Sequence, residues 1–111
     1  MQITEKTEGR VNVVSLAGRL DGSTAEEVEN KLATFVAAKE TQLVLNLAKL
    51  EYISSAGLRV LLGTQKKAAK QQGEMRLAGV NASVKDVLDI AGFTQFFKLF
   101  DTEEEAVKSF S

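Results

Sequence analysis

These 111 residues predict one α/β domain with a mixed, mainly parallel five-stranded sheet and about four helices. Three observations carry that expectation. Short apolar runs of strand length alternate with longer stretches whose apolar residues recur at helical spacing. Two of the helical stretches lie between strands, as crossovers of a parallel sheet do. The first two strand-like runs are separated only by a tight turn around Glu8-Gly9, which suits an antiparallel pair and supplies the mixed part of the sheet.

Taken in order, residues Ile3–Thr7 and Arg10–Ala17 read as the first two strands. Val11, Val13 and Leu16 are apolar positions of the second, and the adjacent Val14 breaks strict alternation, as expected of a strand covered on both faces. Asp21-Gly22-Ser23 then signals a turn. Ser23 and Glu26 have capping-box spacing, and Ala25, Val28, Leu32 and Phe35 or Val36 form the inward stripe of a first helix. After the polar break Ala38–Gln42, the run Leu43–Leu47 is dense enough for a central strand that needs cover from both sides. Tyr52 and Ile53 are expected to close the core beside it, a ligand contact through the Tyr52 hydroxyl being the other reading.

Leu58, Leu61, Leu62 and Ala68 or Ala69 give the next helix its inward face. Gly63 weakens a helix interior by about 1 kcal/mol relative to alanine, so close packing is its expected motive. Gln71–Glu74 ends this helix before a short strand, Met75–Ala78. Gly79-Val80-Asn81 opens another helix, with Val84, Val87, Leu88 and Ala91 inward and Gly92 as terminator. Phe93–Leu99 supplies the last strand. The last helix starts near Asp101 or Thr102, where Thr102 and Glu105 have capping-box spacing and Glu103–Glu105 suit the positive helix end without calling on a metal. No internal repeat, interdomain linker, coiled coil or low-complexity tail interrupts the pattern.

Composition narrows the function classes. A chain of this length with 44% hydrophobic residues holds one real core and is too short for two substantial domains. With no cysteine there is no disulfide framework or redox centre. With no histidine, Ser-His-Asp and Cys-His chemistry and a histidine-ligated zinc site are ruled out. A net charge of −1 argues against a dominant nucleic-acid surface. Met1–Lys6 lacks the apolar run of a signal peptide and no later run approaches membrane-spanning length, so a cytoplasmic location with no membrane partner is expected.

The chain changes from buried strand to helix within Leu50–Leu62, and two serines, Ser54 and Ser55, stand at the helix mouth. Unpaired N–H groups there donate hydrogen bonds to a serine oxygen, and the helix field favours an anion. Ser55 therefore has two readings: a cap or start residue, or an acceptor of phosphate. Gly57 leaves the first turn unobstructed, for the close approach of a strand or a partner or for its conformation alone. Arg59 is the better candidate for an exposed contact with an acidic partner group, whereas Lys66, Lys67 and Lys70 support the negative helix end.

Arranged as β-β-α-β-α-β-α-β-α over nearly its whole length, the sequence resembles bacterial anti-sigma-factor antagonists of the STAS domain family. The family signature Asp-Ser-(Ser/Thr)-Gly-Leu is matched by Ser54-Ser55-Ala56-Gly57-Leu58, with Ser54 in place of the aspartate and Ala56 in place of the second hydroxyl residue. Gly18-Arg19-Leu20-Asp21 resembles the family's Gly-x-Leu-Asp turn. The resemblance implies a single STAS-like domain over residues 1–111 with Ser55 as phosphoacceptor. Asp21, Ser23, Ser54, Gly57 and Arg59 are then the candidate partner-interface residues. It further implies that the unmodified protein binds an anti-sigma factor that is also a serine kinase, releasing a sigma factor, and that a serine phosphatase resets the modified form. ATP and magnesium belong to the kinase, and the chain itself is expected to need no cofactor. Because related domains occur in transporters and sensory assemblies, a constitutive scaffold or sensory-complex protein is the alternative. An enzyme is not expected, since both the G-x-S-x-G pattern and the phosphate-loop pattern are absent.

Overall fold

The computed structural model describes residues Met1–Ser111. Five strands, β1 (Gln2–Glu8), β2 (Val11–Leu20), β3 (Gln42–Ile53), β4 (Glu74–Ala78) and β5 (Leu99–Phe100), form one sheet in chain order. β1 pairs antiparallel with β2 and every later pair is parallel. Four helices, α1 (Ala25–Ala37), α2 (Ser55–Lys70), α3 (Ala82–Ile90) and α4 (Glu103–Lys108), complete the chain. None is long and apolar enough to cross a membrane.

Strand order decides where the helices lie. Because β2, β3, β4 and β5 are parallel neighbours, α1 joins α2 and α3 as a crossover, giving three where the sequence suggested two. Crossovers of one hand that all step the same way place their helices on one face. Val28 and Leu32 of α1, Leu58 and Leu61 of α2, and Val84 and Leu88 of α3 accordingly share one core with Val14, Leu16, Leu45 and Leu77. On the other face, Ala106 of α4 packs with Val11, Val13, Val44 and Ala78. Val13 and Val14 are both buried because they serve these opposite layers. Glu103 ties α4 down by accepting from Asn46 Nδ2 at 3.0 Å and pairing with Lys6 at 2.6 Å.

Three expectations about individual elements are corrected. β3 extends to Ile53, with Leu47, Leu50 and Ile53 inward at a spacing of three; two register shifts against β2, between Ser15 and Ala17 and between Gly18 and Arg19, each give β3 an extra residue. Of the expected last strand Phe93–Leu99 only Leu99 is in β5. Gly92, at φ +75°, and the bond from the Phe93 amide to the Leu88 carbonyl end α3, and the chain is still turning as a 3₁₀ segment at Thr94–Phe96. Phe97 is therefore buried while Phe96 is exposed, and Ala91, beyond the last helical turn, is also exposed.

Gly63 has no close neighbour either: a Cβ there would meet nothing within 4 Å. Gly73 is the opposite case, since its Cβ would lie 2.5 Å from the Thr41 carbonyl oxygen. Gly63→Ala should therefore stabilise the protein by about 0.5–1 kcal/mol, the helix-interior cost of glycine, and Gly73→Ala should destabilise it. Urea unfolding with an unchanged slope checks both, and a destabilised Gly63→Ala would contradict the open packing around α2.

Candidate functional site

In a parallel sheet the strands end at one edge and the following helices begin there. At that edge Leu20 pairs with Ile53, and the Ser54 amide donates to the Leu20 carbonyl at 2.9 Å. The bond holds the start of α2 beside the Asp21 loop.

Ser54 caps α2. Its backbone is extended (φ −96°, ψ 175°), its Oγ accepts from the Gly57 amide at 3.3 Å, and its carbonyl accepts from the Leu58 amide at 2.9 Å. Ser55 is the first helical residue, exposed, with its hydroxyl outside the chain's hydrogen bonds. The cap reading thus falls to Ser54. No carboxylate or lysine of the chain holds the Ser55 hydroxyl, so the activated-nucleophile arrangement of a serine and an adjacent base is not built around it.

Gly57 is buried. A Cβ there would lie 2.7 Å from Leu20 Cγ and 2.9 Å from Ile53 Cγ1, so glycine lets α2 start against the ends of β2 and β3. Of the candidate interface residues it alone faces inward, and its place in the site is to bring the helix close.

The Asp21 loop closes on itself. Asp21 Oδ1 accepts from the Ser23 amide at 2.9 Å and from the Ser23 hydroxyl at 2.7 Å. Ser23 was expected to cap α1, but this turn engages its hydroxyl, and Thr24 takes the cap position without a side-chain cap bond. Thr24 Oγ1 instead accepts from the Asp21 amide at 3.0 Å and donates to the Arg19 carbonyl at 2.8 Å. The Ser23 side-chain and backbone bonds hold the Asp21 carboxyl below the usual aspartate value, against burial, with Arg19 and the Thr24 amide adding to them.

Tyr52 does not close the core. The second register shift places it opposite Arg19, outside the inward pair Leu20 and Ile53, and it is 40% exposed. The Arg19 guanidinium lies 4.3 Å from its ring centroid and Arg19 Nε is 3.9 Å from Asp21 Oδ2. Arg59 stands one turn beyond Ser55, exposed and outside every salt bridge of the chain. Asp21, Ser23, Ser54, Ser55 and Arg59 therefore belong to two adjoining segments at one edge of the sheet.

Sequence reasoning passed over the Thr24 bonds and the Arg19–Tyr52 stack, and it placed Asn81 at the start of a helix without its tie to β3. Asn81 caps α3 through the Val84 amide at 2.8 Å and donates to the Leu50 carbonyl at 2.9 Å, fixing a third helix mouth to β3. Its position before an apolar stripe was a signal for the cap; the stack depends on a register that no local pattern shows.

Residues 2–106 match the family model of the STAS domain. The chain belongs to the STAS domain family. BtrV of Bordetella bronchiseptica, named as an anti-sigma factor antagonist, is 37% identical over 99% of this chain and 95% of its own length. The crystal structure of an anti-sigma factor antagonist from Mycobacterium paratuberculosis superposes with a TM-score of 0.89 at 26% identity, covering 97% of this chain and 92% of that one. The Bacillus cell fate determinant SpoIIAA, solved in a phosphorylated form, shares the fold with a TM-score of 0.79 at 21% identity over 99% of this STAS chain and all of its own. This STAS domain thus falls with the anti-sigma factor antagonists of its family.

Ser54→Ala should cost about 1 kcal/mol through loss of the α2 cap, whereas Ser54→Asp should stay within a few tenths, because aspartate caps as well as serine. Chemical denaturation measures both, and equal losses would take the capping role away from Ser54. The Asp21 carboxyl should titrate below that of an unstructured peptide, and Ser23→Ala should return it upward. Because the folded value is the lower one, the loop's ionic contribution is present above the usual aspartate range and lost as pH falls through the lowered value. Carbon-13 NMR titration reads the shift directly, and an unmoved value in Ser23→Ala would exclude the Ser23 hydroxyl as its largest cause.

Proposed function

We propose that this protein is a phospho-switched antagonist of an anti-sigma factor. Unmodified, it binds an anti-sigma factor that is also a serine kinase and so releases a sigma factor. The kinase then transfers the γ-phosphoryl group of ATP to Ser55 Oγ, with ADP leaving and the hydroxyl proton passing to a base of the kinase. A serine phosphatase restores the binding form, and the cycle runs in the cytoplasm with the transcription machinery. The observation that carries this reading is the division of labour between two adjacent serines: Ser54 is engaged as the cap, while Ser55 presents an exposed, unengaged hydroxyl.

Phosphate would add roughly 1.5–2 negative charges at this point. At the first position of a helix that charge lies in a favourable field, so modification changes the surface rather than melting the domain. A partner seated over the unmodified turn would meet both the charge and the bulk of the phosphate. Asp21, Ser23 and Arg59 supply the remainder of the contact surface in this reading.

With the cognate kinase, ATP and magnesium, the wild-type chain should gain one phosphate by intact mass, mapped to Ser55, and Ser55→Ala should gain none. The phosphorylated chain should melt no lower than the unmodified one. Equal modification of a folded Ser55→Ala variant would refute the site. A wild-type chain that binds an active kinase but stays unmodified would instead point to a constitutive scaffold.

A further inference from the structure

The Cα–Cβ bonds of a helix lean toward its N-terminus, so a long side chain at position i+4 covers residue i. On α2 that relation joins Arg59 to Ser55, both exposed. Arg59 enters no salt bridge, which leaves its guanidinium free to turn toward the helix mouth. The next cation of the helix, Lys66, stands roughly 16 Å from Ser55 along the axis at about 1.5 Å per residue, too far to reach back. Across the edge, Arg19 is already stacked on Tyr52 at 4.3 Å and directed to Asp21 at 3.9 Å.

Resting on the reading of Ser55 as phosphoacceptor, we infer that Arg59 captures the phosphate of modified Ser55 within the same helix. The order is the favourable one, with the anion N-terminal to the cation at i,i+4. The chemistry also fits, because the planar guanidinium fork matches two phosphate oxygens at once. Modification then changes the partner surface twice. It adds an anion at Ser55, and it withdraws the cation that an acidic group of the partner would use. A partner that never touches the phosphate would still register the switch through the loss of Arg59.

The test uses the full chain with phosphoserine encoded at position 55, so that no kinase is required. Phosphorus-31 titration should show the second phosphate ionisation at lower pH in the otherwise wild-type chain than in Arg59→Gln or in an unstructured phosphopeptide of the same sequence. Arg59→Lys should recover only part of the shift. In the phosphorylated chain alone, the Arg59 Nε–H resonance should move from its position in the unmodified protein. Since Arg59 is exposed, Arg59→Gln should unfold at an unchanged midpoint, which separates loss of the pair from loss of the fold. Identical titrations for Arg59→Gln and wild type would overturn the inference, as would a shift abolished by Arg19→Gln instead, which would assign the phosphate to the stacked arginine. Failure of the cognate kinase to modify Ser55, alongside a positive result with encoded phosphoserine, would remove the phosphoacceptor reading and leave the Arg59 pair standing.

Discussion

The hydrogen bond from the Ser54 amide to the Leu20 carbonyl is the constraint on which the surface depends. It exists only because β2 and β3 end level, and they do so through two irregularities. From Asn12 to Leu20 is eight steps along β2, and the partners Leu43 to Ile53 span ten along β3. A single register slip would turn every later side chain to the wrong face. Two slips cancel, so Leu20 and Ile53 point into the same core as Val14 and Leu45, and the extra residues, exposed in the pairs Ala48-Lys49 and Glu51-Tyr52, bulge outward. Gly18, at φ +109°, lies at the second slip, where a side chain would strain the backbone.

Once the strand ends are level, the helix mouth is set by packing rather than by a flexible loop. Gly57 brings α2 onto Leu20 and Ile53, Ser54 closes its first turn, and Asn81 fastens the neighbouring helix to Leu50. The same geometry explains why Ser54 can replace the aspartate of the family signature. That position sits at the helix cap, and serine and aspartate both offer an oxygen to the amide three residues on. What changes is a surface charge, not the architecture that holds Ser55.

How far the sequence reveals this follows from the range of each interaction. The caps at Thr102 and the termination of α3 at Gly92 are local chemistry, and both stand in the structure where the sequence places them. The central strand is legible only as far as Leu47, because beyond it the inward spacing changes from two to three as the bulges begin. Tyr52 looked like a core residue for the same reason: its exposure is set by its pairing with Arg19 across the sheet. At Ser23 two local interactions compete, a capping box with Glu26 and a turn closed by Asp21, and spacing does not rank them. The serine pair at 54 and 55 is plain in the sequence. Which of the two is the cap requires the backbone angles of the turn.

That division bears on how a kinase would choose between adjacent serines. Placing phosphate on Ser54 would require its half-buried oxygen to give up the Gly57 amide, opening the first turn of α2 over the ends of β2 and β3. Ser55 Oγ has no such bond to lose, and a phosphate there lies at the positive end of the helix with a free arginine one turn away. On the proposed reading both states of the switch would keep the same fold, and phosphorylation would act through the surface a partner reads. On the same reading, selectivity for Ser55 would follow from the helix start itself, because the residue before it is already engaged as the cap.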